Sequence, residues 1–116
     1  MQTRQICIIG AGNGGSAIAG DMTLAGHSCR LFEFPEYGGN IEAIIEQAGI
    51  SVTGIARTGF AKLALATTDL AEAVSGAELI MVTTQALGHE RVARELAPLL
   101  TDGQSVILWP GSGGTL

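Results

Sequence analysis

The sequence predicts an α/β fold: a doubly wound parallel sheet of about five strands, with helices on both faces. Three observations predict it. Short apolar runs alternate with helical stretches along all 116 residues. Runs such as Ile6-Cys7-Ile8-Ile9 and Leu79-Ile80-Met81-Val82 are continuous rather than alternating, the pattern of strands covered on both faces. The first run ends in Gly10-Ala11-Gly12-Asn13-Gly14-Gly15, with glycines where a tight strand-to-helix turn needs them. The length suits one domain, 1–116, with a single core.

Taken in order, the first strand is Gln5 to Ile9. The helix after it covers residues 13–25, with Ile18, Met22 and Ala25 on one face, and Gly26 ends it in the left-handed conformation. The second strand covers 28–34, with Arg30, Phe32 and Phe34 on one side and Cys29, Leu31 and Glu33 on the other. After a loop at 35–39, Asn40 caps a second helix that carries Ile41, Ile44, Ile45 and Ala48 at helical spacing, and Gly49 stops it. Residues 50–62, punctuated by Gly54 and Gly59, read as a β-hairpin excursion that delivers the chain to a third strand at 62–67. Thr68 or Asp69 caps a short helix striped by Leu70, Ala73, Val74 and Ala77. The fourth strand is 78–83. The fourth helix runs from Leu87 or Gly88 to Leu100, turns Val92, Leu96, Leu99 and Leu100 inward, and carries Pro98 in its last turn. The fifth strand is Ser105 to Leu108, before Trp109-Pro110 and a glycine-rich end.

Strand, glycine turn and helix together form the Rossmann-type fingerprint. Gly10 allows a bend that a side chain would block, Gly12 and Gly14 let main chain approach a bulky anion, and Gly15 lets the helix pack closely on its strand. Free amides from Asn13 onward and the positive end of the helix dipole favour a diphosphate. Glu33 lies roughly 20 residues later, near the end of the second strand, where such sites place an acid against the adenosine ribose hydroxyls. The alternative is a solvated strand-end acid. A carboxylate there repels a 2′-phosphate, and Arg30 lies mid-strand, so the implied cofactor is NAD in preference to NADP.

Open parallel sheets bind ligands outside the carboxyl ends of their strands. Thr83, Thr84 and Gln85 leave the fourth strand there; they either contact cofactor or cap the next helix. His89 is either a substrate-side or nicotinamide-side group or a solvated histidine in a first helical turn. Gly111 and Gly113 belong either to a close-approach loop or to a flexible end.

A formal net charge of −5 argues against nucleic acid and against anionic membranes. No apolar run reaches the length of a membrane span. Cys7 and Cys29 lack metal-ligand spacing and read as buried reduced thiols, which suits a cytoplasmic location. No lysine comes after the glycines, which excludes a P-loop nucleotidase, and no catalytic His/Asp or Lys/Asp constellation is evident.

The chain resembles the amino-terminal domain of opine dehydrogenases, the octopine/nopaline dehydrogenase family, over nearly its whole length. Beyond the glycine turn, the likeness rests on Gly26-His27, Leu31-Phe32-Glu33, Gly39-Asn40-Ile41 and Ile50-Ser51-Val52-Thr53-Gly54. It continues through Thr67-Thr68-Asp69-Leu70, Ile80-Met81-Val82-Thr83, Ala86 with His89, and Pro110-Gly111 with Gly113-Gly114. Gln85 departs from it, standing where the family usually has a proline. The resemblance implies the cofactor half of an enzyme that joins an amino acid to an α-keto acid and reduces the imine with a nicotinamide cofactor, or runs the reverse oxidation. It further implies a helical catalytic domain or partner subunit outside these residues, so no catalytic role is assigned here. Glycerol-3-phosphate and ketopantoate reductases share the early fingerprint and stand as alternatives, as does a free-standing NAD sensor. An isolated half exposes apolar surface that a second copy could cover.

Overall fold

The computed structural model describes residues 3–53, 58–84 and 86–108. The elements in chain order are β1 (Gln5–Ile9), α1 (Asn13–Leu24), β2 (Ser28–Phe32), α2 (Glu42–Gln47), β3 (Gly49–Thr53), β4 (Thr58–Lys62), β5 (Leu65–Thr67), α3 (Leu70–Val74), β6 (Leu79–Val82), α4 (Ala86–Leu96) and β7 (Ser105–Leu108). Five of the strands form one parallel sheet in the order β5-β2-β1-β6-β7, while β3 and β4 make a separate antiparallel hairpin. This is the expected Rossmann-type sheet with its hairpin excursion.

Strand register sorts the side chains onto two faces. Ile6 lies beside Cys29 and Leu79, and Ile8 beside Leu31 and Met81. These residues pack against Ala19, Ile18 and Met22 of α1, with Ile41, Ile44, Leu63 and Ile50 beyond. Cys7 and Ile9, one position on, lie beside Arg30, Phe32, Ile80 and Val82. On that face Cys7, Ile9, Phe32, Ile80 and Val82 meet Leu70, Ala73 and Val74 of α3 and Val92 and Leu96 of α4. A period-2 strand buried on both sides leaves no polar position, which is why β1 reads as an unbroken apolar run.

The hairpin lies on α1, where Gly20 permits the contact, and Gly49 permits close packing within the hairpin itself. A Cβ on Gly20 would stand 2.6 Å from Val52 Cγ2, and one on Gly49 would stand 2.3 Å from the Ala61 carbonyl oxygen. Gly49 is therefore the first residue of β3 and a packing glycine, not the stop of α2. The stop is Ala48, which is left-handed at φ 60°.

Other boundaries also differ from expectation. Pro35–Asn40 is 3-10 helix rather than loop, and Ile41, not Asn40, is the cap of α2. The tighter winding shifts the phase of α2, leaving Ile41 and Ile44 inward and Ile45 exposed. The α4 helix ends at Leu96. Pro98 lacks an N–H donor, the chain winds as 3-10 over Ala97–Leu99, and Leu100 turns outward. Asp69 is the cap of α3, its Oδ1 accepting from Glu72 N–H at 3.3 Å.

Arg30 donates to the Ser75 carbonyl at the carboxyl end of α3, which commits it to that helix terminus. Strand β7 closes one edge of the sheet with Val106, Ile107 and Leu108 exposed at 41%, 43% and 54%, an apolar border.

Both thiols are free and buried. Burial pushes Cys7 up from 9.0 to about 12, with the Arg30 charge opposing it, and burial likewise raises Cys29. A raised native value means the folded chain holds the neutral thiol while the unfolded chain ionises. Stability is therefore fully present below pH 9.0 and falls as pH climbs toward 12. We expect Cys7 to contribute a decline of up to ~1.4 kcal/mol per pH unit across that window. Urea midpoints at increasing alkaline pH should fall more steeply for the native chain than for Cys7→Ala.

Candidate dinucleotide site

Strand order reverses around β1, whose neighbours β2 and β6 lead to opposite edges of the sheet. The turns leaving the carboxyl ends of β1, β2 and β6 therefore meet in one crevice. Backbone hydrogen bonds tie them together. Gly10 N–H donates to the Phe32 carbonyl at 2.8 Å, and Thr83 N–H to the Ile9 carbonyl at 2.9 Å.

The glycines divide by what surrounds them. Gly10 has φ +112°, and a Cβ there would stand 2.7 Å from Thr83 Oγ1. A Cβ on Gly15 would come within 1.8 Å of the Gly10 carbonyl oxygen. These two glycines are packed against the turn itself. Gly12 and Gly14 are the opposite case: among the described residues nothing lies within 4 Å of an added Cβ. The turn thus presents a bare, open rim where main chain can be approached closely.

Gly12 is also the cap of α1, and no side chain caps that terminus. The first intrahelical bond runs from Ser16 N–H to the Gly12 carbonyl at 2.9 Å. Amides at Asn13, Gly14 and Gly15 precede it and belong to the turn that a helix leaves without internal partners. With no acidic residue in that first turn, the dipole's positive end is not neutralised locally. An open rim, first-turn amides without intrahelical partners and no acidic residue within that turn of α1 fit a diphosphate.

Glu33 is buried, 5% exposed. Its Oε1 accepts from Ala11 N–H at 2.9 Å, and its Oε2 accepts from Phe34 N–H at 3.1 Å. The carboxylate is therefore part of the glycine turn's wall, not a solvated strand-end acid. Among the described residues, two donors reach its roughly four acceptor sites.

Thr83 supports the turn from below. Its hydroxyl lies 2.9 Å from the Ile9 carbonyl and 3.2 Å from that of Gly10, shared between them. His89 reaches back one turn, with Nε2 2.8 Å from the Thr84 carbonyl. A carbonyl only accepts, so Nε2 is the donor in this contact. Gly88 allows this close start of α4, since a Cβ there would stand 3.1 Å from Thr84 Cβ. Gln85, Gly111 and Gly113 lie outside the described residues.

A second cluster went unread in the sequence. Arg91 of α4 stacks its guanidinium 3.7 Å above the Phe34 ring, one residue past Glu33. Its Nη1 meets Glu36 at 2.5 Å, and its Nε meets Glu95 at 2.8 Å. The i,i+4 spacing with Glu95 reads as an ordinary solvated helix face; the Phe34 contact depends on how α4 crosses the sheet.

With this geometry in hand, comparison with known proteins is decisive. Residues 5–110 match the family described as NAD-dependent glycerol-3-phosphate dehydrogenase N-terminus. The chain belongs to that family. It is a nicotinamide-dinucleotide-binding domain of the kind shared by opine, glycerol-3-phosphate and ketopantoate-type dehydrogenases. It is 30% identical to an opine dehydrogenase of Arthrobacter over 98% of its own length and 31% of that protein. To a glycerol-3-phosphate dehydrogenase [NAD(P)+] of Stenotrophomonas maltophilia it is 33% identical, over 94% of this chain and 33% of the relative. The structure of a putative ketopantoate reductase from Ralstonia solanacearum superposes with a TM-score of 0.73 at 28% identity, over 92% of this chain and 32% of that one. The domain thus spans about a third of the length of the relatives it matches. Among the described residues, no helix is long and apolar enough to cross a membrane.

Proposed function

We propose that this domain is the cofactor half of an opine-type dehydrogenase. It would hold the dinucleotide while an amino acid and an α-keto acid are joined and the imine is reduced, or the reverse oxidation runs. The observation that carries the reading is the open rim at Gly12 and Gly14 with Glu33 walled in beside it. In this reading the rim and the amides of Asn13, Gly14 and Gly15 take the pyrophosphate. Glu33 takes the ribose, and Thr83 keeps the turn in shape. Thr84 and His89 would serve the nicotinamide side, as would Gln85, and Gly111 and Gly113 the substrate side, these last three lying outside the described residues. Bound NAD supplies the hydride chemistry; the chain's own residues bind and orient it. The groups that bind substrate and move its proton belong to a helical domain or partner subunit outside residues 1–116. The exposed Val106, Ile107 and Leu108 give such a region, or a second copy, an apolar border to cover. The buried free thiols suit a reducing, cytoplasmic compartment.

NAD is favoured over NADP because the Glu33 carboxyl is fixed beside the turn by two backbone N–H groups, and Arg30 is spent on the end of α3. Calorimetric titration with NADH and NADPH tests this directly; tighter binding of NADPH would overturn the preference. Glu33→Ala should narrow the NADH advantage. It should also lower stability by about 1–3 kcal/mol, because the Ala11 N–H loses its buried acceptor. A variant with unchanged affinity ratio would leave Glu33 a purely structural acid.

The match to the glycerol-3-phosphate dehydrogenase family supports a second reading, the cofactor domain of a glycerol-3-phosphate or ketopantoate-type reductase. The two readings part on substrate. NADH oxidation by the enzyme that carries this domain should need an amino acid together with an α-keto acid. Turnover with dihydroxyacetone phosphate or ketopantoate alone would select the second. Stoichiometric NADH binding with no turnover on any of these would favour a sensor.

A further inference from the structure

Arg91 is a cation placed at the adenosine end of the crevice and prevented from acting there. Its guanidinium lies on Phe34, the residue whose N–H is bonded to the Glu33 carboxylate. Glu36, from the 3-10 turn after β2, and Glu95, one turn along α4, each take one edge of it. The side chain is still about one-third exposed, so a ligand can reach it. A guanidinium recognises phosphate through a forked pair of N–H donors. Here Nη1 and Nε each already face a carboxylate. The Arg91 pairing holds the Glu36 carboxyl below its ordinary range.

From this cluster, and resting on the dinucleotide reading above, we propose that Glu36 sets cofactor selectivity by restraining Arg91. Glu33 repels a 2′-phosphate directly. Glu36 acts through Arg91, occupying the cation that would otherwise attract that phosphate. Glu36 is then a positioning residue and Arg91 a latent ligand for a ribose 2′-phosphate. Phe34 fixes the guanidinium plane, so freeing one edge leaves the cation in place instead of releasing it to solvent.

The test is a double-substitution cycle read by calorimetry with NADH and NADPH as probes. Glu36→Gln should raise NADPH affinity relative to NADH by about tenfold at low salt, with NADH affinity nearly unchanged and the gain shrinking as salt rises. Glu36→Asp should keep the native ratio. Adding Arg91→Met to Glu36→Gln should cancel the gain, because simple removal of a negative charge would persist in the double variant. An unmoved ratio in Glu36→Gln with intact NADH binding overturns the proposal. So does an equal gain with and without Arg91. Failure of the unsubstituted chain to bind NADH overturns the dinucleotide reading, and this one with it.

Discussion

Gly12→Val is expected to abolish dinucleotide binding, a loss of at least ~100-fold in affinity, while the domain remains folded. Both halves rest on one measurement of space. Among the described residues, nothing lies within 4 Å of a Cβ built on Gly12, so a side chain has room to start there. The residue sits at φ −70° and ψ −172°, extended backbone that valine adopts without strain. Gly12 makes no side-chain cap, so substitution removes no hydrogen bond, and the poor capping of valine should cost about 1 kcal/mol or less. The volume that valine fills is the rim over the first free amides of α1, where a diphosphate must come within hydrogen-bonding distance of main chain. A steric block there removes several charge-assisted bonds together. NADH fluorescence titration and urea unfolding of the same protein check the two halves separately. Wild-type NADH affinity in a folded Gly12→Val would mean that the rim is not the cradle.

The sheet was legible because burial on both faces leaves its mark on composition. Ile6 to Ile9 and Leu79 to Val82 have no polar position to lose, and the strands fall where the apolar runs fall. The glycine turn was legible for a related reason: φ +112° at Gly10 and the 1.8 Å approach at Gly15 are conditions that only glycine meets. The features that escaped depend on neighbours distant in sequence. Gly49 looks like a helix stop until the Ala61 carbonyl and the Phe60 ring are seen against it. Ile45 keeps helical spacing, yet the 3-10 turn at Pro35–Asn40 rotates it outward. Glu33 was placed correctly along the chain. Its burial was not readable, because the partner that makes burial tolerable is a backbone N–H 22 residues away. Arg91 was the least visible of all: its helix partner Glu95 is apparent from spacing, whereas Phe34 and Glu36 meet it only where the fold brings α4 to the segment after β2.

Gly15→Ala should produce the opposite phenotype from Gly12→Val: loss of the fold first, and of binding only as a consequence. Its Cβ would stand 1.8 Å from the Gly10 carbonyl oxygen, 2.9 Å from the carbonyl carbon and 2.7 Å from Thr83 Oγ1. Two of those atoms are main chain, so no rotamer change relieves the contact. The turn and α1 must separate, and that motion pulls on the bonds from Gly10 to Phe32 and from Thr83 to Ile9 that hold three strands together. Overpacking of a side chain against flexible neighbours costs about 1–3 kcal/mol. Against backbone at the centre of the sheet the cost should exceed that range, a large part of the ~5–15 kcal/mol that keeps a domain of this size folded. The control is the neighbouring Gly14→Ala, where nothing lies within 4 Å and alanine favours helix by about 1 kcal/mol. Urea unfolding should place Gly14→Ala at or above the native midpoint and Gly15→Ala far below it. Equal midpoints would show that α1 does not pack on the turn as closely as these distances require.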